Sequence, residues 1–351
     1  MSTQHALILE GKQQPFVISK RLIPQAAPGE LVVKVEAVAL NPVDWKIQSS
    51  GFIVSSYPAV LGTDIAGDIE QVGEGVKGWE KGDRIFFQGF FNPPDRGGFQ
   101  QYTTIPADLV ARIPLKYTYS QAAAIPVALT AAVFGLFAPR PIGIALNPAI
   151  DSDIKQTGHA VLVIGGSTSV GQYAIQLLKY QEFNPIITYA SSNHSEYLKA
   201  LGATHVIDRR SDTLADLPSV IERLFAPSDL QLKLVFDAVG TAEVQATGLE
   251  CLVEGGQLVT VNSTSEHVKE NREDGKMVLA MFGTVHLPHT REFGKVLYEK
   301  LPRLLEQDIV LPNRVEDLPN GLEGIIEGLE RMKRNEVSGV KLVAHPQEPL
   351  S

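Results

Sequence analysis

The 351-residue chain contains a single cysteine, Cys251. An intramolecular disulfide is therefore excluded, and so is a zinc site built from several cysteines. No run of about 18 apolar residues occurs, so no segment reads as a membrane span. The amino terminus, MSTQHALILEGK, lacks the basic stretch and long apolar core of a secretory signal. Basic residues are in the minority, with 31 Lys and Arg against 40 Asp and Glu, and the net charge of −9 argues against nucleic acid as a partner. A phosphorylated cofactor stays admissible, because it needs only local positive charge. A reducing, cytoplasmic setting is the expectation, with neither nucleic acid nor membrane as partner.

What is present is the composition of a globular protein, 44% hydrophobic and 20% charged, long enough for two domains. The first 125 residues read as many short strands with Gly and Pro turns between them: His5–Leu9, Phe16–Ser19, Leu31–Leu40, Ile65–Val72, Arg84–Gln88, Gln100–Ile105 and Val110–Ile113. That spacing suggests a barrel-like β domain. Asn41–Lys46 breaks the third strand. Ser120 is a plausible cap for an alanine-rich helix, Gln121–Phe137, kinked by Pro126. Pro139–Thr157 has no periodicity and reads as a surface loop.

Strict α/β alternation follows. Strands fall at Val161–Ile164, Pro185–Tyr189, His205–Asp208, Leu232–Asp237 and Gln257–Val261, with Met277–Phe282 as an extension. Helices fall between them at Val170–Tyr180, Ser195–Leu201, Leu217–Phe225 and Ala242–Cys251. This is the pattern of a doubly wound parallel sheet. Arg291–Gln307 and Gly321–Arg334 read as helices, and Val340–Ala344 as a strand returning to the first domain. Cys251, on a crossover helix, reads as core.

The stretch Gly158–Tyr180, GHAVLVIGGSTSVGQYAIQLLKY, joins an apolar strand to a helix through a glycine and hydroxyl turn. Backbone N–H groups and the positive helix end make such a turn an anion site, usually for a dinucleotide pyrophosphate. Gly166, Ser167, Thr168, Ser169 and Val170 are the candidate contacts, although GGSTSVG departs from the strict G-x-G-x-x-G and also fits an ordinary βα turn. The second strand ends Tyr189-Ala190 and is followed by Ser191-Ser192-Asn193-His194. No carboxylate stands there to grip a ribose 2′-hydroxyl. Small hydroxyls and an amide suit a 2′-phosphate, so Ser191 and Asn193 point to NADPH. Arg209 could stack on adenine or pair with that phosphate, or form a solvated face with Arg210.

NPVDWK at 41–46, LGTDIAGDIEQVGEGV at 61–76, KGDRIFF at 81–87 and VLVIGGSTSVGQYAIQLLK occur in that order. Together they resemble the zinc-independent medium-chain dehydrogenase/reductases, the quinone oxidoreductase and enoyl reductase branch, and within it the fungal trans-acting enoyl reductases and ToxD-like reductases. The resemblance implies a Rossmann domain, residues 127–288, inserted into a GroES-like domain of residues 1–126 plus 289–351. Zinc members carry a cysteine where this chain has Asn41 and a histidine where it has Thr63. Neither residue is a credible zinc ligand, and His286 with His289 would lack further ligands, so no metal is expected.

The resemblance also implies that Lys199 neutralises the 2′-phosphate and that Asn41 and Lys46 meet the nicotinamide ribose or its phosphate. Thr130 would face the nicotinamide, Val261 and Asn262 would hold its carboxamide, and Lys341 would take the family's Gly-x-Lys position. Lys46 and Lys341 also fit solvent-facing lysines, and Thr130 a packed threonine. Lys46 and Thr130 are the candidate catalytic residues. The implied reaction is zinc-free hydride transfer from NADPH to an activated C=C bond of an enoyl thioester, enone or quinone. The substrate would be a small molecule or an acyl thioester, with a carrier or polyketide synthase as a possible partner and a monomer or homodimer as the assembly. The proton donor is open: Phe52 cannot donate, and Tyr57, just before Pro58, fits a structural role. Two rival classes remain, a zinc-type alcohol dehydrogenase and a non-catalytic NADPH-binding protein.

Overall fold

The structure is a computed structural model that describes residues 2–226, 230–263 and 273–350. The chain divides into two compact units. The first comprises Met1–Val127, Val285–Glu306 and Leu311–Ser351; the second comprises Ala128–Thr284 and Gln307–Val310.

The first unit opens with β1 (Thr3–Leu9), β2 (Phe16–Leu22) and β3 (Glu30–Ala39). Where the sequence suggested only a break, α1 (Pro42–Ser50) forms. Pro42 sits at the first helical position with its φ already suitable, and the Asp44 carboxylate reaches back to the Asn41 N–H at 2.8 Å. Gly51, at φ 70°, ends the helix in the left-handed region that glycine adopts without strain. Then come β4 (Ala59–Val60), β5 (Asp64–Val72), β6 (Arg84–Gln88), β7 (Tyr102–Pro106) and β8 (Ala111–Arg112).

The single kinked helix expected over Gln121–Phe137 is two helices, α2 (Tyr119–Ala123) and α3 (Pro126–Phe137). Its cap is Thr118, not Ser120. The Thr118 hydroxyl accepts the Gln121 N–H at 3.2 Å, while the Gln121 side chain accepts the Thr118 N–H at 3.0 Å. Tyr119–Phe137 is long and apolar enough to cross a membrane, but 89% of it is buried inside the fold, as in a core helix.

In the second unit, β9 (Ala160–Ile164), α4 (Ser169–Tyr180), β10 (Ile186–Ala190), α5 (Ser195–Leu201), β11 (His205–Asp208), α6 (Leu217–Phe225), β12 (Leu232–Asp237), α7 (Ala242–Cys251), β13 (Gln257–Thr260) and β14 (Met277–Ala280) alternate. Among the described residues the sheet order is β11-β10-β9-β12-β13-β14, every pair parallel. Strand order reverses between β9 and β12, which opens a crevice at their carboxyl ends. Val161 and Leu162 are wholly buried, as a central parallel strand covered on both faces requires. Leu162, Ile187, Val235 and Leu258 pack with Leu217, Ile221 and Leu249 from the helices. Each such side chain contributes about 1.5–3 kcal/mol by leaving water.

Residues 139–157 are a loop, but not a superficial one. Asn147 and Ile150 are fully buried. The N–H groups of Ile144, Ala145 and Leu146 bond the carbonyls of Gly135, Ala138 and Leu136, satisfying the open end of α3. The chain closes the first unit with α8 (Arg291–Glu306), β15 (Val315–Asp317), α9 (Gly321–Lys333) and β16 (Lys341–Ala344). As the sequence suggested, the last strand returns to the first domain, pairing antiparallel with β3.

Candidate active site

In the second unit most candidate residues follow the carboxyl end of a parallel strand, the exceptions being Thr130 in α3 and Lys199 in α5. β9 delivers Gly165 and Gly166. Gly165 has φ +84°, and Gly166 lies so close to β10 that a Cβ on it would fall 2.0 Å from Thr188 Oγ1. A Cβ on Gly171 would meet the Gly165 carbonyl oxygen at 2.3 Å, so the third small residue packs helix on strand. The Thr168 hydroxyl is the cap of α4 and accepts the Gly171 N–H at 3.0 Å. Expected as a phosphate donor, it is thus partly committed to the helix, with its own proton left to give. Ser169 and Val170 supply the first helical N–H groups, which have no intrahelical partner in any α-helix. Ser167, Ser169 and Val170 are half-buried.

β10 delivers Ser191, which is 6% exposed and whose Oγ has no hydrogen-bond partner. A buried polar atom without a partner is rare and marks a place where a ligand oxygen fits. Asn193, Lys199 and Arg209 are exposed, and the Arg209 N–H donates to the carbonyl of Ala190, the residue before Ser191. Lys199 bonds Glu196 at 3.1 Å, but both side chains are open to solvent, so the pair is weak and can yield to a stronger anion. Sequence reasoning passed over Asp208. Its Oδ1 accepts the N–H groups of Ser192 (3.2 Å) and Arg210 (3.1 Å), and a side-chain bond from Ser192 heads the causes holding its carboxyl below the usual aspartate range. That carboxylate therefore shapes the 191–194 turn.

β12 delivers Asp237, which is fully buried. Its Oδ1 accepts the N–H groups of Val239 and Gly240, each at 2.9 Å, and its Oδ2 accepts the Thr260 hydroxyl at 2.9 Å. Burial raises its pKa against these bonds. The Asn262 amide donates to the Gly240 carbonyl at 3.2 Å, and Gln245 donates to the Ser263 carbonyl at 3.0 Å. Asp237 thus fixes the turn that carries Val261 and Asn262. Its signal in the sequence is an acid ending an apolar strand before a glycine. Thr130 lies inside α3 at 1% exposure, beside Ala131, whose Cα would stand 2.8 Å from a Cβ on Gly283.

The first unit brings Asn41 and Lys341 together across 300 residues of sequence. β16 pairs with β3 in the register Val343↔Ala39, and stepping two residues along each chain sets Lys341 opposite Asn41. Asp64, at the start of β5, pairs with the same Ala39. The Lys341 ammonium, 4% exposed, is 2.7 Å from Asp64 Oδ2 and donates to Asn41 Oδ1 at 2.5 Å. Asn41 Nδ2 donates to Asp64 Oδ2 at 2.9 Å, and the Val127 N–H donates to Asp64 Oδ1 at 2.6 Å. Lys341 is therefore no solvent-facing lysine. Asp44, wholly buried beside this cluster, is pushed up to about 7, chiefly by burial, with the Asn41 N–H and the Lys341 charge opposing. Lys46 lies on the exposed side of α1, its Nζ 5.8 Å from the centre of the Trp45 ring.

Among the described residues, no group of three or more His, Cys, Asp and Glu side chains is placed to hold a metal ion. His286 is neutral in its setting, since burial pushes its pKa down to about 4, and its Nε2 meets the Gln88 carbonyl at 2.7 Å. The second unit does fit a dinucleotide: the glycine turn is open to close approach, two helical N–H groups are free, and Ser191 has an unused hydroxyl.

A parallel sheet with a glycine turn at its switch point, in a chain that also forms a β-rich unit, has the architecture of a dinucleotide-binding protein. The chain belongs to the medium-chain dehydrogenase/reductase family, whose members bind a nicotinamide cofactor. Residues 27–115 match the alcohol dehydrogenase GroES-like domain, and residues 169–287 match the zinc-binding dehydrogenase domain. The chain is similar to a trans-enoyl reductase of Aspergillus niger, 31% identical over 365 residues that cover 97% of each protein. It shares its fold with a putative zinc-dependent alcohol dehydrogenase protein from Rhizobium etli, at a TM-score of 0.82 and 21% identity over 99% of this chain and 100% of that one. A mycobacterial protein solved in complex with NADPH has a TM-score of 0.77 and 22% identity over 98% of this chain and 100% of that one.

Proposed function

We propose that the protein is a zinc-free, NADPH-dependent reductase of an activated C=C bond, with an enoyl thioester as the favoured substrate. The Lys341 ammonium, bonded to Asn41, supports this most. It stands against the residue that occupies the position of a zinc ligand in the metal-dependent relatives. A buried cation there repels a metal and neutralises Asp64 in its place.

NADPH, when bound, supplies the hydride. The turn Gly166–Val170 cradles the pyrophosphate, and the unpartnered Ser191 hydroxyl donates to a 2′-phosphate oxygen, with Asn193, Lys199 and Arg209 adding donors and positive charge. Val261 and Asn262, fixed through Asp237, hold the carboxamide. The Asn41 amide and Lys341 ammonium each keep one proton beyond the bonds above, and these serve ribose or phosphate oxygens. Lys46 adds positive charge on the exposed side of α1. Reduction at the β-carbon of an unsaturated carbonyl places negative charge on the carbonyl oxygen, which hydrogen-bond donors can stabilise without a metal. The resemblance to a trans-enoyl reductase favours an enoyl thioester over a quinone and makes a carrier-bound acyl chain a reasonable form of substrate.

The test is NADPH oxidation by purified protein with crotonyl thioester, an enone and a quinone, run beside metal analysis. Turnover of the thioester without stoichiometric zinc is expected. NADPH oxidation with an aldehyde alone, or NADP+ reduction by an alcohol, with one zinc per chain, would restore the metal-dependent reading.

A further inference from the structure

Asp64 is wholly buried, and the family resemblance assigned it no role. Both of its oxygens are occupied by donors from separate parts of the first unit. Oδ1 takes the Val127 N–H at the start of α3. Oδ2 takes the Asn41 amide and the Lys341 ammonium together. The carboxylate plane has a single orientation that serves all three. An asparagine could not replace it, since its NH2 would face either the Val127 N–H or two further donors, whichever way it is turned. The Asn41 amide is oriented in turn, because its Oδ1 accepts from Lys341 and its Nδ2 donates to Asp64.

We propose that Asp64 is a positioning residue that locks Asn41 and Lys341 into a three-membered clamp for the cofactor, while touching no cofactor atom itself. The inference rests on the assignment of Asn41 and Lys341 to the nicotinamide cofactor. Asp64 neutralises Lys341 in a water-poor interior, and it fixes the direction of the two protons that the clamp presents. Groups that act as one unit lose their effect together, so the second removal costs little once the first is made.

The experiment is a double-mutant cycle in NADPH affinity, read by cofactor fluorescence with no substrate present, on wild type, Asp64→Asn, Lys341→Met and the double variant. Each single variant is expected to bind NADPH at least about tenfold more weakly than wild type, and the double variant within about threefold of Lys341→Met. Multiplying losses would show that Asp64 acts only as general support for the fold, and would overturn the proposal. So would wild-type affinity in Lys341→Met or Asp64→Asn. If Asp64→Asn alone fails to fold, the double variant removes the charged pair as a whole, which buried pairs tolerate better than loss of one partner, and its comparison with Lys341→Met decides. Because the readout is binding, a cycle behaving as expected in a protein that reduces no activated alkene would sink the proposed reaction and leave the clamp standing. Should the wild type bind NADH instead, the same cycle run with NADH tests the clamp alone. Binding of neither cofactor would overturn both.

Discussion

Gly166 and Thr188 approach so closely that a Cβ on the glycine would lie 2.0 Å from the threonine Oγ1. That oxygen cannot retreat, because it donates to the Val163 carbonyl at 2.9 Å and the residue is fully buried. Gly166→Ala should therefore overpack the β9–β10 junction and cost about 1–3 kcal/mol. Thermal unfolding is expected to show a Tm several degrees lower, with weaker NADPH binding because the turn shifts. Adding Thr188→Ala should recover part of the loss. An unchanged Tm in Gly166→Ala would mean that the turn is not so confined.

Ser191 offers a buried hydroxyl with no protein partner. Its removal should leave the unliganded protein unharmed, since no internal hydrogen bond is broken. Ser191→Ala is expected to weaken NADPH binding about tenfold, to leave NADH binding within about twofold, and to leave Tm unchanged without cofactor. Equal losses for the two cofactors would move the 2′-phosphate away from this turn.

Asp44 titrates far from its usual range because burial disfavours its charge. The unfolded chain gives up this proton near 3.8, the folded one near 7, so between those values the folded state holds more protons. Stability from this group is full below about pH 4 and falls as pH rises to about 7. His286, pushed down to about 4, slopes the other way below the ordinary histidine range, and comparison with a variant cancels it. Asp44→Asn should thus gain stability relative to wild type as pH rises from 4 to 7, by up to a few kcal/mol. A difference in Tm between the two proteins that stays constant with pH would contradict the shift.

The Tyr57 hydroxyl is buried without a partner. Tyr57→Phe should hold stability within about 0.5 kcal/mol, since no bond is lost. Turnover of an enoyl thioester after this change separates two sources of the proton. An unchanged kcat points to solvent, and a fall of tenfold or more points to the phenol.

The second unit was legible because its chemistry follows the chain. Apart from Lys199, which lies within α5, each candidate residue from Gly166 to Asn262 follows a strand end closely, and strands such as Leu232–Asp237 and helices such as Ala242–Cys251 stand where the periodicity placed them. The first unit resisted for a physical reason. Asn41 and Lys341 meet only through the pairing of β16 with β3, which no local pattern encodes, and Asp64 joins them through the neighbouring strand. The α1 helix was missed although its start is written as Asn-Pro-Val-Asp, a proline at the first helical position and an acid reaching back to the cap. The cap of α2 at Thr118 carried the same kind of signal, a threonine followed three residues later by Gln121.

The proposed reaction moves hydride from NADPH to carbon without a metal. The most direct measurement gives metal-depleted protein NADPH deuterated at the transferring position, with crotonyl thioester, and locates the label in the product by mass spectrometry. One deuterium on the β-carbon, at a rate unchanged by chelator, is the predicted result. An unlabelled product, or a reaction that stops on chelation and returns with zinc, would contradict it.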